Sequence, residues 1–317
     1  MNKIFEILNK YYGYNSFRKG QYEIISNILR GRDSFCILPT GAGKSICYQI
    51  PALMFNGITI VISPLISLMK DQVDNLNSNG INARYINSTQ KLEVSDEIIE
   101  LCKKGEVKLL YIAPEKLENE FFKRKLRLLN ISQIAIDEAH CVSMWGHDFR
   151  KSYGLIAEFI DNLRIRPVVT AFTATATEVV RKDVINLLKL RNPYICIGSF
   201  DRENLEIKLY IEEDKLELVK DIIREREGES GIIYCATRKE VDGLYYYLKD
   251  LGYDVLKYHG GLKDSEKEFY QDEFLNENSN VMIATNAFGM GIDKSNIRYI
   301  IHFTIPKNIE GYYQEIG

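Results

Sequence analysis

Two α/β lobes, each a mostly parallel sheet flanked by helices, are the fold that this sequence predicts. Three observations carry the prediction. At 317 residues the chain is too long for one ordinary domain and about right for two. Short β-rich runs alternate with longer helical stretches. Those runs are continuously apolar rather than alternating, as expected of strands buried on both faces.

In order, the predicted strands are residues 35–38, 58–62, 108–112, 133–136 and 168–172, then 231–234, 281–284 and 299–303. A polar or small-residue motif follows nearly every one: PTGAGKS, SPLISL, APEKL, DEAH, TATAT, CATRK and TNAFGMG. In open α/β sheets ligands bind beyond the carboxyl ends of the strands, so these motifs should converge along one edge. The polar stretch 198–205, GSFDRENL, separates five strands from the later three or four. Lobe one is therefore expected over residues 1–200, a linker over 198–205 and lobe two over 206–317.

Bulk composition excludes several classes. Apolar residues make up 45% and charged residues 27%, which describes a soluble globular protein. Forty-one basic against forty-four acidic residues give a net charge of −3, so any nucleic acid must be met in a local groove. Cys36, Cys47, Cys102, Cys141, Cys196 and Cys235 never form a C-x-x-C pair, so neither a zinc module nor a disulfide framework is expected. Residues 1–12 carry Lys3 and Lys10 but no apolar stretch of signal-peptide length, and no run approaches membrane-spanning length. The expected location is the cytoplasm, at the nucleoid if the source is bacterial.

The sharpest motif is the phosphate loop. Residues 35–38 read as a strand, 39–43 as a glycine-bearing loop, and Lys44 as the start of a helix. Gly41 and Gly43 let backbone N–H groups approach phosphate oxygens, and the helix N-terminus adds partial positive charge. Lys44 would contact the β/γ-phosphates, and the Ser45 hydroxyl would ligate magnesium. The strict pattern asks for glycine five residues before Gly43, where this chain has Leu38. About ninety residues later Asp137, Glu138, Ala139 and His140 close another buried strand. There Asp137 is placed to hold magnesium through water, and Glu138 to orient and deprotonate the attacking water. Two adjacent acids alone would be a solvated turn. Beside a phosphate loop they complete what phosphoryl transfer requires.

Eight motifs in order resemble the helicase core of the RecQ family, a group of superfamily 2 DNA helicases. They are FRKGQ, LPTGAGKS, SPLISLMKDQV, YIAPEKL, DEAHCVSMWGHDFR and AFTATAT, then IIYCATRK with YHGGL, and ATNAFGMGIDKSNIRYIIHF. The resemblance implies two RecA-like lobes with an ATP cleft between them, ATP and Mg2+ as cofactors, and 3′-to-5′ movement on single-stranded or forked DNA by a monomer. Lobe closure on ATP and reopening after hydrolysis would alternate the grip on one DNA strand. It makes Gln21 and Arg18 adenine contacts and Tyr14 a stacking platform. It adds Thr40 and Ala42 to the nucleotide-binding loop, Gly289 and Asp293 to the nucleotide contacts of lobe two, and Gln314 to the catalytic groups. Sequence physics alone implies only single-stranded nucleic acid.

Directly after the DEAH run, CVSMWGHDFR packs Trp145, His147, Phe149 and Arg150 into six residues. Aromatic faces stack on unpaired bases, and arginine meets phosphate or a base plane. The competing fate is burial of the chain's only tryptophan in the core. In the RecQ family the similar stretch couples DNA binding to ATP hydrolysis, and His140 would link it to the γ-phosphate site. Ser63, Thr237 and Thr285 follow strands and are candidates for contact with the DNA backbone, though each is also an ordinary turn or cap residue.

The sequence ends at Gly317, just before the place where the family carries an arginine-bearing R-A-G-R motif. An arginine finger is worth roughly 10³- to 10⁵-fold in turnover in related enzymes. The expectation is a chain that binds ATP·Mg but hydrolyses it poorly, with lobe two missing its last strands. Two other readings stay open: an RNA helicase of the same superfamily, and a catalytically silent ATP-dependent module that clamps nucleic acid.

Overall fold

The computed structural model describes all residues except 1–2, 88–89, 147–148, 200–203, 212–213, 289–293 and 295. The chain divides into two compact units, Met1–Phe200 and Asp201–Ile316.

Unit 1 opens with helices α1 (Lys3–Tyr12) and α2 (Gln21–Leu29), whose apolar faces pack on α3 (Lys44–Met54). Strands and helices then alternate: β1 (Ser34–Ile37) precedes α3, and β2 (Ile58–Ile62), α4 (Ile66–Ser78), β3 (Ala83–Ile86), α5 (Leu92–Lys103) and β4 (Leu109–Ile112) follow. The unit continues through α6 (Glu120–Leu126), β5 (Ile131–Ile136), α7 (Leu155–Asp161), β6 (Val168–Thr173), α8 (Glu178–Leu187) and β7 (Tyr194–Ile197). The strands form one seven-stranded sheet in the order β3-β4-β2-β5-β6-β1-β7, with every pairing parallel.

Each central strand is buried along its length because helices cover both faces of the sheet. One core cluster joins Phe35, Ile60, Ile134 and Val169 to α5–α8; the other joins Cys36, Tyr48, Val61 and Phe172 to α2–α4. Several of the polar groups in this interior are joined in hydrogen-bonded networks. Thr59 donates to Gln133 at 3.3 Å, and Gln133 donates to Thr170 at 3.2 Å, giving a ladder across β2, β5 and β6. Asp33, just before β1, is gripped by both terminal nitrogens of Arg166 at 3.1 and 2.6 Å. It also accepts from the backbone N–H of Val169 at 2.9 Å and of Arg191 at 2.8 Å, pinning the starts of three neighbouring strands.

Unit 2 contains α9 (Lys215–Glu225), β8 (Ser230–Tyr234), α10 (Arg238–Asp250), β9 (Val255–Tyr258) and α11 (Asp264–Leu275). It ends with β10 (Val281–Ala284), β11 (Ile297–His302) and α12 (Ile309–Glu315). Its strands pair in parallel in the order β11-β8-β10-β9. Val219, Ile233, Val241 and Leu248 fill one side of this sheet, and Tyr234, Phe274, Met282 and Phe288 the other.

The first unit holds seven strands among its described residues, not the five expected. The two extra strands in unit 1 are β3 and β7, and they are its sheet edges. Their apolar runs are short, that of β3 is broken by Arg84, and Ile195 and Ile197 of β7 are exposed. The cysteines are free thiols, buried except for the half-buried Cys196. Among the described residues no helix is long and apolar enough to cross a membrane.

Candidate functional site

The site is built on the carboxyl ends of β1, β5 and β6. In the sheet β6 lies between the other two, with Ile37 level with Thr173 and Ile136 level with Ala171. The loops after β1 and β5 therefore stand two strand spacings apart, about 10 Å. That is the span of a polyphosphate chain.

After β1 the chain runs through Leu38 and Thr40 to Gly43 before α3 begins at Lys44. Gly41 has φ +75° and Gly43 φ +79°, conformations that a side chain would strain, and Gly43 is the N-cap of α3. No side chain caps α3, so its first N–H groups remain oriented outward as anion donors. Lys44 Nζ lies 3.2 Å from the Leu38 carbonyl oxygen, holding the ammonium over the loop.

The predicted adenine-reading residues reach the same loop. Gln21, buried at the start of α2, donates from Nε2 to the carbonyls of Ala42 and Gly43, both at 3.1 Å. Its Oε1 accepts from the Arg18 backbone N–H at 2.9 Å, and the Arg18 guanidinium donates to the Gly41 carbonyl. Tyr14 is exposed beside them in sequence.

After β5, Asp137 is buried and its backbone N–H bonds to the Ile62 carbonyl at 2.9 Å. Burial and then the neighbouring Glu138 carboxylate push Asp137 up to about 7, while Lys44 pulls it back down. Glu138 has φ 47° and ψ 47°, a left-handed conformation rare for a residue with a side chain and costing about 1 kcal/mol. That turn sets its Oε2 3.3 Å from Nδ1 of His140. The same nitrogen lies 2.9 Å from the Thr173 hydroxyl, which donates its own proton to the Thr175 carbonyl at 2.9 Å. Thr173 can then only accept, so Nδ1 carries the imidazole proton. His140 thereby ties the end of β5 to the end of β6.

The loop that follows is exposed and anchored. Trp145 is 75% and Met144 74% solvent-accessible, and Phe149 is exposed, which decides against burial of the tryptophan. The Ser143 hydroxyl donates to Asp183 of α8 at 2.5 Å and accepts from the Trp145 backbone N–H at 3.2 Å. Gly146 lies so close to the His140 carbonyl that any Cβ there would overlap it. The Arg150 guanidinium donates to the Pro64 carbonyl at 3.1 Å, so it is seated on the loop after β2.

The remaining candidates are scattered. Ser63 is buried at the end of β2, and its hydroxyl has no hydrogen-bond partner among the described residues. Thr237 caps α10 in a reciprocal capping box with Glu240, the role its position left open. Thr285 is buried after β10, its N–H bonded to the Tyr258 carbonyl at 3.1 Å. Gln314 is half-buried in α12. His147, Gly289 and Asp293 lie outside the described residues. Sequence reasoning missed Asp183, the Thr173–His140 bond and the backbone of Glu138. Only the TATAT run gave a signal for any of them.

Comparison with known proteins bears on this arrangement. The DEAD/DEAH box helicase family model matches residues 18–183, and the helicase conserved C-terminal domain model matches residues 214–317. An ATP-dependent DNA helicase RecQ of Bacillus subtilis (strain 168) is 50% identical over 312 residues, covering 98% of this chain and 53% of that protein. The chain belongs to the RecQ family. A second RecQ, from Pasteurella multocida (strain Pm70), is 46% identical over 98% of this chain and 49% of its own length. This RecQ-family chain thus spans about half the length of these relatives. Among solved structures, S. cerevisiae Dbp5 bound to RNA and ADP BeF3 aligns over 98% of this chain and 83% of that one, with a TM-score of 0.77 and 19% identity. The DUF1998 helicase MrfA bound to DNA aligns over 100% of this chain and 49% of that one, with a TM-score of 0.80 and 18% identity. At such identities these two establish the shared fold.

Proposed function

We propose that this chain is the ATP-hydrolysing core of a DNA helicase that moves 3′-to-5′ on single-stranded DNA. The observation that carries the reading is the meeting, along one sheet edge, of a phosphate cradle, an acid pair whose Asp137 is buried, and an exposed aromatic loop joined to that pair through residues 137–146.

The chemistry follows from the placement of the groups. Phosphoryl transfer needs positioning and charge stabilisation more than covalent help. The α3 N-terminus and Lys44 would bind the β- and γ-phosphates, with Gln21, Arg18 and Tyr14 receiving the adenine. Ser45 and Asp137 would hold Mg2+, which supplies charge neutralisation to the phosphates. They are hard oxygen donors, and a cation would relieve the penalty that burial imposes on the Asp137 carboxylate. Glu138 would accept the proton of the attacking water, with the His140 imidazole packed beside its carboxylate. Trp145 and Phe149 would stack on bases. A shift of their loop would be felt through Ser143 at α8 and through residues 140–143 at Glu138.

The test is ATP turnover by the chain alone, with single-stranded DNA, and with RNA of the same sequence. Stimulation by DNA well above that by RNA supports the proposal. Equal stimulation would point to a general nucleic-acid motor, and binding of both without turnover to a clamp.

A further inference from the structure

The turn that follows the acid pair is braced at two points by one strand and the helix after it. Residues 168–187 form β6 and α8, and Thr177 caps α8 by accepting from the Val180 N–H at 3.3 Å. Thr173, at the end of β6, holds His140, and Asp183, in the second turn of α8, holds Ser143. Val184, next to Asp183, is buried in the same core cluster as Cys141 and Val142, so α8 is packed on this turn.

Ser143 is the point at which the exposed loop leaves the core. It is 0% exposed, whereas Met144 and Trp145 after it stand in solvent. Four hydrogen bonds meet on it. Its N–H donates to the His140 carbonyl at 3.1 Å, and its carbonyl accepts from the Gly146 N–H at 3.0 Å. Its hydroxyl accepts from the Trp145 N–H at 3.2 Å and donates to Asp183 Oδ2 at 2.5 Å. The first three bonds are local, forming a tight turn with serine at its first position. Among the described residues, only the fourth hydrogen bond ties residues 143–146 to another element. A serine hydroxyl has one proton to give. Committed to Asp183, that proton fixes the direction of the oxygen lone pairs, and one of them receives the Trp145 N–H. Without the carboxylate the hydroxyl is free to turn to a nearby backbone carbonyl instead.

We propose that Asp183 is a positioning residue for the aromatic loop: through Ser143 it fixes the backbone of Trp145 and holds the indole where an unpaired base can stack. The proposal rests on the reading of Trp145 as a base-stacking group. A loop ordered before its ligand arrives loses less freedom on binding, so the bond contributes to DNA affinity. The nucleotide side of the same turn is held separately, by Thr173 on His140. Loss of Asp183 therefore loosens the DNA side alone.

Trp145 is the only tryptophan in the chain, so its fluorescence reports on the loop. The experiment uses the full chain as wild type, Asp183→Ala, Asp183→Asn, Ser143→Ala and the double alanine variant. Without DNA, the fluorescence anisotropy of Trp145 should fall in Asp183→Ala. Affinity for a fluorescent ADP analogue should stay within about twofold, as for an uncoupled site. Affinity for a labelled single-stranded oligonucleotide should fall about tenfold, the worth of one hydrogen bond to a charged group. Asp183→Asn keeps an acceptor oxygen and should stay within about threefold of wild type. The oligonucleotide losses of Asp183→Ala and Ser143→Ala should combine to less than their product. Unchanged anisotropy or wild-type oligonucleotide affinity in Asp183→Ala would overturn the proposal. So would an equal loss in Asp183→Asn, losses that multiply in full, or an equal fall in ADP affinity. If wild-type Trp145 fluorescence does not respond to the oligonucleotide, the base-stacking reading fails and this proposal with it. If Asp183→Ala does not fold, Ser143→Ala carries the test, with the same falls in anisotropy and oligonucleotide affinity expected; no change would overturn the proposal.

Discussion

The two units are both parallel sheets wrapped by helices, yet they place their polar groups differently. Unit 1 sinks several of them into its interior in bonded networks: Asp33 with Arg166, the Thr59–Gln133–Thr170 ladder, and Tyr111 with Gln49. In unit 2 Asp242 of α10 meets Lys257 at 2.6 Å and His259 at 3.4 Å. This cluster lies at the edge strand β9, with the Asp242 side chain 39% exposed. Unit 2 also leaves Ile207, Leu209 and Ile211 exposed at 72%, 83% and 92%. Fully bonded buried networks fix a single arrangement more strongly than pairs open to water. Unit 1 is thus the half whose interior holds reactive groups at fixed distances, and the proposed chemistry lies on it.

That contrast can be broken by matched substitutions. Asp33→Ala removes the partner of Arg166 and the acceptor of two backbone N–H groups. It should destabilise unit 1 by about 3–5 kcal/mol, read by urea denaturation. A cost under about 1 kcal/mol would mean that the buried network does not hold the sheet. Next in size, Trp145→Ala should weaken single-stranded DNA binding by about 1–3 kcal/mol in fluorescence anisotropy. Phe269→Ala removes an aromatic of unit 2 that is 58% exposed, and should leave that affinity unchanged. The smallest effect belongs to Asp242→Ala, about 0.5–1 kcal/mol at neutral pH. Burial pushes the Asp242 carboxyl up, but its hydrogen bonds from Lys257 and His259 outweigh burial and leave it below the ordinary range. Its stabilisation is therefore present above the unfolded carboxylate pKa and lost as pH falls through the depressed folded value. The gap between wild type and Asp242→Ala should close in urea titrations at acidic pH.

The same contrast governs how much was legible in the sequence. Strands buried on both faces, such as β2 and β5, announce themselves as unbroken apolar runs. Three strands that sequence reasoning omitted, β3, β7 and β9, are sheet edges; ARYI and VLKY each carry a charged residue, and YICI is an apolar run of only four residues. β11 is an edge too, but its run of isoleucines shows it. At the candidate site, groups adjacent in sequence were readable: Gly41 to Ser45, Asp137 to His140, and the exposed Trp145. Bonds that depend on tertiary approach were not. Ser143 meets Asp183 across a gap of 40 residues, and His140 meets Thr173 across 33. The left-handed backbone of Glu138 carries no residue-type signal, since glycine and asparagine are the usual markers.

The measurement that tests the account most directly is ATP turnover by Glu138→Gln at saturating single-stranded DNA, paired with nucleotide affinity on the same preparation. Glutamine keeps the shape of the side chain and removes the base. The account predicts a fall of roughly 10²- to 10⁴-fold in turnover with nucleotide affinity retained. Turnover at the wild-type rate in Glu138→Gln would contradict it.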